Sequence, residues 1–166
     1  MFYRYILPLF LAPGVVVHEL SHALFCVFSG VRVREMKLFG FGRTAGYVVH
    51  DEPEKFYQSF LVSIGPLLVN SLLALFAFAQ IAAGRPLWLQ ILCVWLGLAF
   101  SLHAIPSDGD AGALLKTANR RVRKNPLIIL GYPFVGLLYL LAFLKNTRLN
   151  FLYAIFLFWL GNIYLK

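Results

Sequence analysis

Charged side chains are scarce in this sequence. They make up 13% of its 166 residues, while 60% are hydrophobic; a water-soluble domain normally carries roughly 25% charge. Too few polar groups remain to coat a water-facing surface, which excludes disorder and an ordinary cytosolic enzyme. Cysteine is nearly missing as well. Cys26 and Cys93 both fall inside apolar stretches, which argues against a disulfide scaffold and leaves them as small buried hydrophobes. Acidic residues number seven against fifteen lysines and arginines, a formal net charge of +8. Beside a mean hydropathy of +0.76, that excess points to lipid headgroups and not to nucleic acid. There is no repeat, no low-complexity tract and no linker long enough to divide the chain. Residues 1–166 therefore read as a single polytopic membrane domain.

What is present is a series of apolar runs. Tyr5 to Phe28 is the first, broken by Pro8, Pro13 and Gly14 and then by His18, Glu19, Ser21 and His22. It is too long, and too polar at its centre, for a cleaved leader; about 20 residues suffice to span the hydrocarbon layer. Val31 to Pro53 opens with apolar/polar alternation and is punctuated by Gly40, Gly42 and Gly46, which predicts two short strands. Phe56 to Ala83, with Gly65-Pro66 and Asn70 inside it, is a second helix. Gly84-Arg85-Pro86 is a turn, and Leu87 to Ile105 a third helix. The turn Pro106-Ser107-Asp108-Gly109-Asp110 offers its last Asp as a cap. Ala111 to Asn125 sets Leu114, Leu115, Ala118 and Val122 against a basic face, a pattern suited to the headgroup layer. Leu127 to Leu144 and Leu149 to Leu165 complete the series. The expected fold is an all-α integral membrane protein with about five transmembrane helices, a small β-hairpin or sheet between the first two, and a basic interfacial helix after the third.

Alternating five spans puts Arg4, Arg85, Lys145 and Arg148 on one side. The other eleven basic residues, from Arg32 through Lys124 and including Arg43 and Lys166, fall on the opposite side. The positive-inside rule makes the second side cytoplasmic. The chain is thus expected in the cell membrane, multi-pass, with its N-terminus outside and any site near the strands and the Asp turn facing the cytoplasm.

His18-Glu19-Leu20-Ser21-His22 is an HExxH pattern. On a helix, residues i and i+4 share a face, so both imidazoles reach one metal ion and the intervening Glu can take a proton from water there. An ionisable residue near the centre of a membrane helix costs about 2.5–3.5 kcal/mol on insertion scales. Glu19 is therefore expected to have a role, the competing reading being a polar cluster that ties helices together. A catalytic zinc site usually has three protein ligands. His50, among Asp51, Glu52 and Glu54, reads as solvated, and His103 stands near the end of the third helix. A carboxylate from the next turn, Asp108 or Asp110, is the natural third ligand, since His22 lies roughly 12 Å of helix from the same membrane side.

With these residues in place, the sequence resembles the site-2 protease family of intramembrane zinc metalloproteases. The resemblance is carried by HELSH in the first span, GPLLVN (Gly65 to Asn70) in the second and PSDG (Pro106 to Gly109) after the third, and covers roughly Gly14 to Asn125. Residues 126–166 would then be two additional transmembrane helices. The resemblance implies that His18, His22 and Asp108 bind Zn2+, with Asp110 as a competing third ligand. It implies further that Glu19 activates water and that Asn70 helps hold the substrate or its oxyanion. Ser107 and Asp110 stand where the family commonly has Leu and a second Gly. Phe100 replaces an Asn about eight residues before the Asp, with His103 as a candidate polar substitute. The expected function is hydrolysis of peptide bonds in or near the membrane segments of a protein or peptide substrate. The alternative is a non-proteolytic zinc-binding scaffold or metal-handling protein in the same bilayer.

Overall fold

The computed structural model describes residues 3–41, 45–81, 84–146 and 150–164. Gly42, Arg43, Arg148 and Lys166, used above, lie outside the described residues, as do the helix-boundary residues Ala83, Leu149 and Leu165. The fold is mostly helical. Its elements are α1 (Tyr3–Phe10), α2 (Ala12–Ser29), β1 (Val33–Lys37), β2 (Tyr47–His50), α3 (Phe56–Ala79), α4 (Leu87–Leu102), α5 (Asp108–Val122), a 3-10 helix (Pro126–Gly131), α6 (Tyr132–Asn146) and α7 (Asn150–Tyr164). The two strands pair antiparallel, Met36 opposite Val48 and Lys37 opposite Tyr47, with an irregularity between Val33 and Glu35. Three stretches are long and apolar enough to cross a membrane: Ala12–Ser29, Phe56–Ala79 and Pro126–Phe143. The helices α4 and α7 are apolar but shorter.

Polarity is distributed opposite to that of a soluble protein. Val27 and Phe28 on α2 are 68% and 73% exposed, and Leu72, Phe76, Ile91 and Ile155 also face outward. Ser21, Ser59, Ser63, Asn70 and Ser101 are buried. Such a surface is satisfied by lipid, while the interior is held by close contact and hydrogen bonds. Gly14 is the tightest such point. A Cβ there would sit 1.9 Å from the Ala99 carbonyl oxygen and 2.7 Å from His103 Nδ1. Its own carbonyl accepts from Asn70 Nδ2 at 3.1 Å, tying α2 to α3. Gly14→Ala must push α4 away, and overpacking of this kind costs about 1–3 kcal/mol. Thermal unfolding in detergent should show a lowered midpoint; an unchanged midpoint would contradict the close approach.

Chain directions follow from side-chain neighbours. A Cβ on Gly131 would lie 2.4 Å from Phe56 Cζ, and Phe134 meets Phe60 edge-on with ring centroids 5.4 Å apart. The helix α6 therefore starts beside the start of α3 and runs the same way. Tyr153 OH meets Ser71 Oγ at 2.7 Å and Phe158 packs on Phe78 at 5.3 Å, so α7 continues in that sense along the second half of α3. The five-span scheme puts residues 145–148 on the side away from the Asp turn. The structure corrects this for Lys145, whose Nζ donates to the Ile105 carbonyl at 3.1 Å, right beside that turn. The reason is packing: α6 starts beside the start of α3 and α7 runs along its second half, so the end of α6 lies partway along the 24-residue α3 and not beyond its far end.

The start of α5 is also corrected. Ser107, not Asp110, is the N-cap, and the helix begins at Asp108. Asp110 is the third helical residue and folds back, its Oδ2 accepting from Ser107 N and from Ser107 Oγ, each at 2.7 Å. This reciprocal cap satisfies donors that a bare helix start leaves open. The apolar stripe of α5 does not face headgroups: Ala111, Leu114 and Ala118 are buried against Val135 and Leu138 of α6, with Phe56 and Phe60 alongside. Its basic face pairs with the strand region through Arg120–Glu52 and through Lys116–Glu52 at 3.4 Å, and these cations hold the Glu52 carboxyl below its usual range.

Candidate metal centre

The helical register of α2 stacks His18 and His22, whose rings lie 4.9 Å apart in an edge-to-face arrangement. Both are buried, 8% and 7% exposed. Each ring is aimed by a backbone carbonyl. His18 Nδ1–H donates to His103 O at 2.7 Å, and His22 Nδ1–H donates to Val62 O at 2.9 Å. A carbonyl oxygen only accepts, so the proton of each neutral imidazole stays on Nδ1 and the Nε2 lone pair is left for a ligand. Backbone partners of this kind are what orients metal-binding histidines. One comes from the end of α4 and the other from α3, so aiming the two histidines of α2 takes three helices.

Asp110 supplies the third donor. Its Oδ1 lies 3.2 Å from His22 Nε2, and His18, His22 and Asp110 each bring one ligand atom to within 4.8 Å of the others. The Ser107 cap fixes Oδ2, and Ser63 Oγ donates to the Asp110 carbonyl at 3.1 Å, which pins α5 to α3. The group leaves out Asp108, which the resemblance put first. Successive helical residues are turned by about 100°, so two acids two positions apart point to different sides and only one can face His22. A tetrahedral zinc with bonds near 2.0 Å has ligand–ligand edges of roughly 3.3 Å. Two imidazole nitrogens and a carboxylate oxygen are donors that zinc takes, and the 3.2 Å between His22 Nε2 and Asp110 Oδ1 matches one such edge.

A cavity of about 420 Å³ opens over these residues, lined also by Glu19, Tyr47, Val48, His50, His103 and Lys145. Glu19 is half-buried on the face of α2 turned toward β2. Gly46, just before β2, presses on it so closely that a Cβ there would come 2.7 Å from Glu19 Cγ. His50 and His103 reach the cavity but bond to backbone, His50 Nδ1 to Asp51 O at 2.7 Å and His103 Nδ1 to Ala99 O at 2.9 Å. Asn70 is not in the cavity wall. It is fully buried at the α2–α3 contact, its Oδ1 without a hydrogen-bond partner among the described residues. Three contributors carried no sequence signal: the Val62 and His103 carbonyls, and Lys145, which reaches the cavity only because α6 ends at this depth.

Comparison with known protein families, with characterised proteins and with solved structures finds no match to this chain. Its functional reading therefore rests on its own residues.

Proposed function

We propose that this chain is an intramembrane zinc metalloprotease of the site-2 type, cleaving peptide bonds in or near transmembrane segments of other membrane proteins. The observation that carries the reading is the pair of Nδ1-anchored imidazoles converging with Asp110, beside a carboxylate at the cavity wall. Zinc held by His18, His22 and Asp110 would supply Lewis acidity toward a water and a substrate carbonyl. Glu19 then holds the proton taken from that water and delivers it to the leaving amine. Lys145 brings positive charge to the same wall, where it offsets the charge that develops on the carbonyl oxygen. Asn70 supports the site from behind by holding Gly14, one helical turn before His18.

A helical substrate hides its carbonyls in internal hydrogen bonds, so the bond to be cut must first be extended. The sheet has two strands only among the described residues, and β2, whose Tyr47 and Val48 line the cavity, keeps one edge for such a segment. In the bilayer α2, α3 and α4 each cross, and the chain from the 3-10 helix through α7 runs alongside α3 to the side away from the strands. By chain position, ten of the fifteen lysines and arginines then stay with the strands and α5, which makes that side cytoplasmic.

The test is cleavage of a reconstituted single-span substrate by the purified protein. Product should form, stop when a chelator removes the metal, and return on adding zinc. Cleavage that survives complete metal removal overturns the reading. Metal bound with no cleavage of any membrane substrate favours the scaffold or metal-handling alternative.

A further inference from the structure

A second cavity, of about 640 Å³, lies away from the metal centre, between the start of α3, the end of α5 and the 3-10 helix. Its wall is apolar, built on Phe56, Phe60, Leu127 and Phe134. Its rim carries three cations, Lys55, Arg121 and Lys124, against one carboxylate, Glu54. The cations differ in what already occupies them. On the neighbouring turn, Arg120 and Lys116 both engage Glu52. Lys55 Nζ sits 5.8 Å above the Tyr57 ring. Arg121 and Lys124 have no ion-pair partner among the described residues, and Arg121 Nε is buried with no hydrogen-bond acceptor among them. Two cations at the cavity rim without a counter-ion suit an anion, and a phosphate is the anion that a guanidinium and an ammonium together match best.

We infer that this cleft binds an anionic glycerophospholipid, with the phosphate between Arg121 and Lys124 and an acyl chain along Phe56, Phe60 and Phe134. Two features favour a lipid over a soluble phosphate compound. The volume falls within the range of sites that enclose a small molecule, yet its wall offers an apolar tail far more than it offers a sugar or a base. It also opens onto Leu127 and Leu130, each 73% exposed at the start of a stretch long and apolar enough to span a bilayer. The headgroup would therefore sit at the membrane surface on the side of the strands, where anionic lipids meet basic residues.

The experiment uses the full chain with Phe134→Trp, reconstituted in nanodiscs of phosphatidylcholine containing brominated phosphatidylglycerol or, separately, brominated phosphatidylcholine. Quenching of the emission that the introduced indole adds over the unaltered protein should favour the glycerol lipid on the order of tenfold, and the preference should collapse in Arg121→Gln/Lys124→Gln. Because the larger ring could itself disturb the cleft, native mass spectrometry of the unaltered protein is run alongside. It should retain phosphatidylglycerol over phosphatidylcholine and lose that bias in the double variant. Equal quenching and equal retention of the two lipids overturn the inference, as does a bias that survives the double substitution. Displacement of the lipid by millimolar inorganic phosphate would show a phosphate site with no use for the tail, and would overturn the lipid assignment. Bound metal and cleavage at the other cavity are read separately, so failure here leaves the protease reading untouched.

Discussion

Asp110→Asn should strip zinc from the protein, while Asp108→Asn should leave it bound. The substituted amide keeps the shape of the side chain and one oxygen for the Ser107 cap, so α5 should still form. What it loses is the anionic oxygen 3.2 Å from His22 Nε2. Removing a group that only orients a ligand commonly costs 10–100-fold in metal affinity, so removing the ligand should cost more than about 100-fold. The measurement is zinc affinity by competition with a chromophoric chelator, with circular dichroism to check the helices. Tight zinc binding by Asp110→Asn, or its loss in Asp108→Asn, would reverse the assignment. The contrast is sharp because the two acids sit two residues apart in one sequence motif.

Glu19→Gln should abolish cleavage and spare the metal. Glutamine has the same reach and still fits against Gly46, but it cannot take up a proton. General acid–base catalysis is typically worth 10²–10⁴-fold, and here one group serves both the attack and the departure of the amine. Turnover is therefore expected to fall by at least about 1,000-fold at unchanged zinc content. If Glu19 is instead part of a polar cluster that merely binds helices together, the substitution lowers stability and leaves the rate per folded molecule alone. Unchanged turnover would sink the catalytic assignment.

The histidine pair is legible in the sequence because its geometry is local. Residues four apart on one helix share a face whatever the rest of the chain does. The apolar runs and the two strands are legible for the same reason, since periodicity and glycine punctuation act over a few residues. The third ligand is not settled by such rules. Asp108 and Asp110 both suit the chemistry, and the choice turns on where α5 begins to within one residue, which depends on Ser107 capturing Asp110. A rule that assumes each apolar run makes its own crossing puts Lys145 far from the Asp turn, whereas its Nζ reaches the Ile105 carbonyl beside it. Only the contacts of Phe134 with Phe60 and Tyr153 with Ser71 show two short helices running head to tail. The orienting carbonyls of Val62 and His103 belong to the backbone and leave no trace in residue identity.

The bonds that aim the two imidazoles also fasten α2 to α3 and to the end of α4. Many enzymes hold strained or like-charged groups in their active sites and give up stability for activity. In this chain the two demands coincide, because hydrophobic burial does little to hold helices together once lipid surrounds them. Under the proposed function, His18 and His22 are structural rivets as well as ligands. Replacing either with a small apolar residue should loosen the interior together with the proposed chemistry, so the usual route to a hardier protein, blunting its active site, would be closed here.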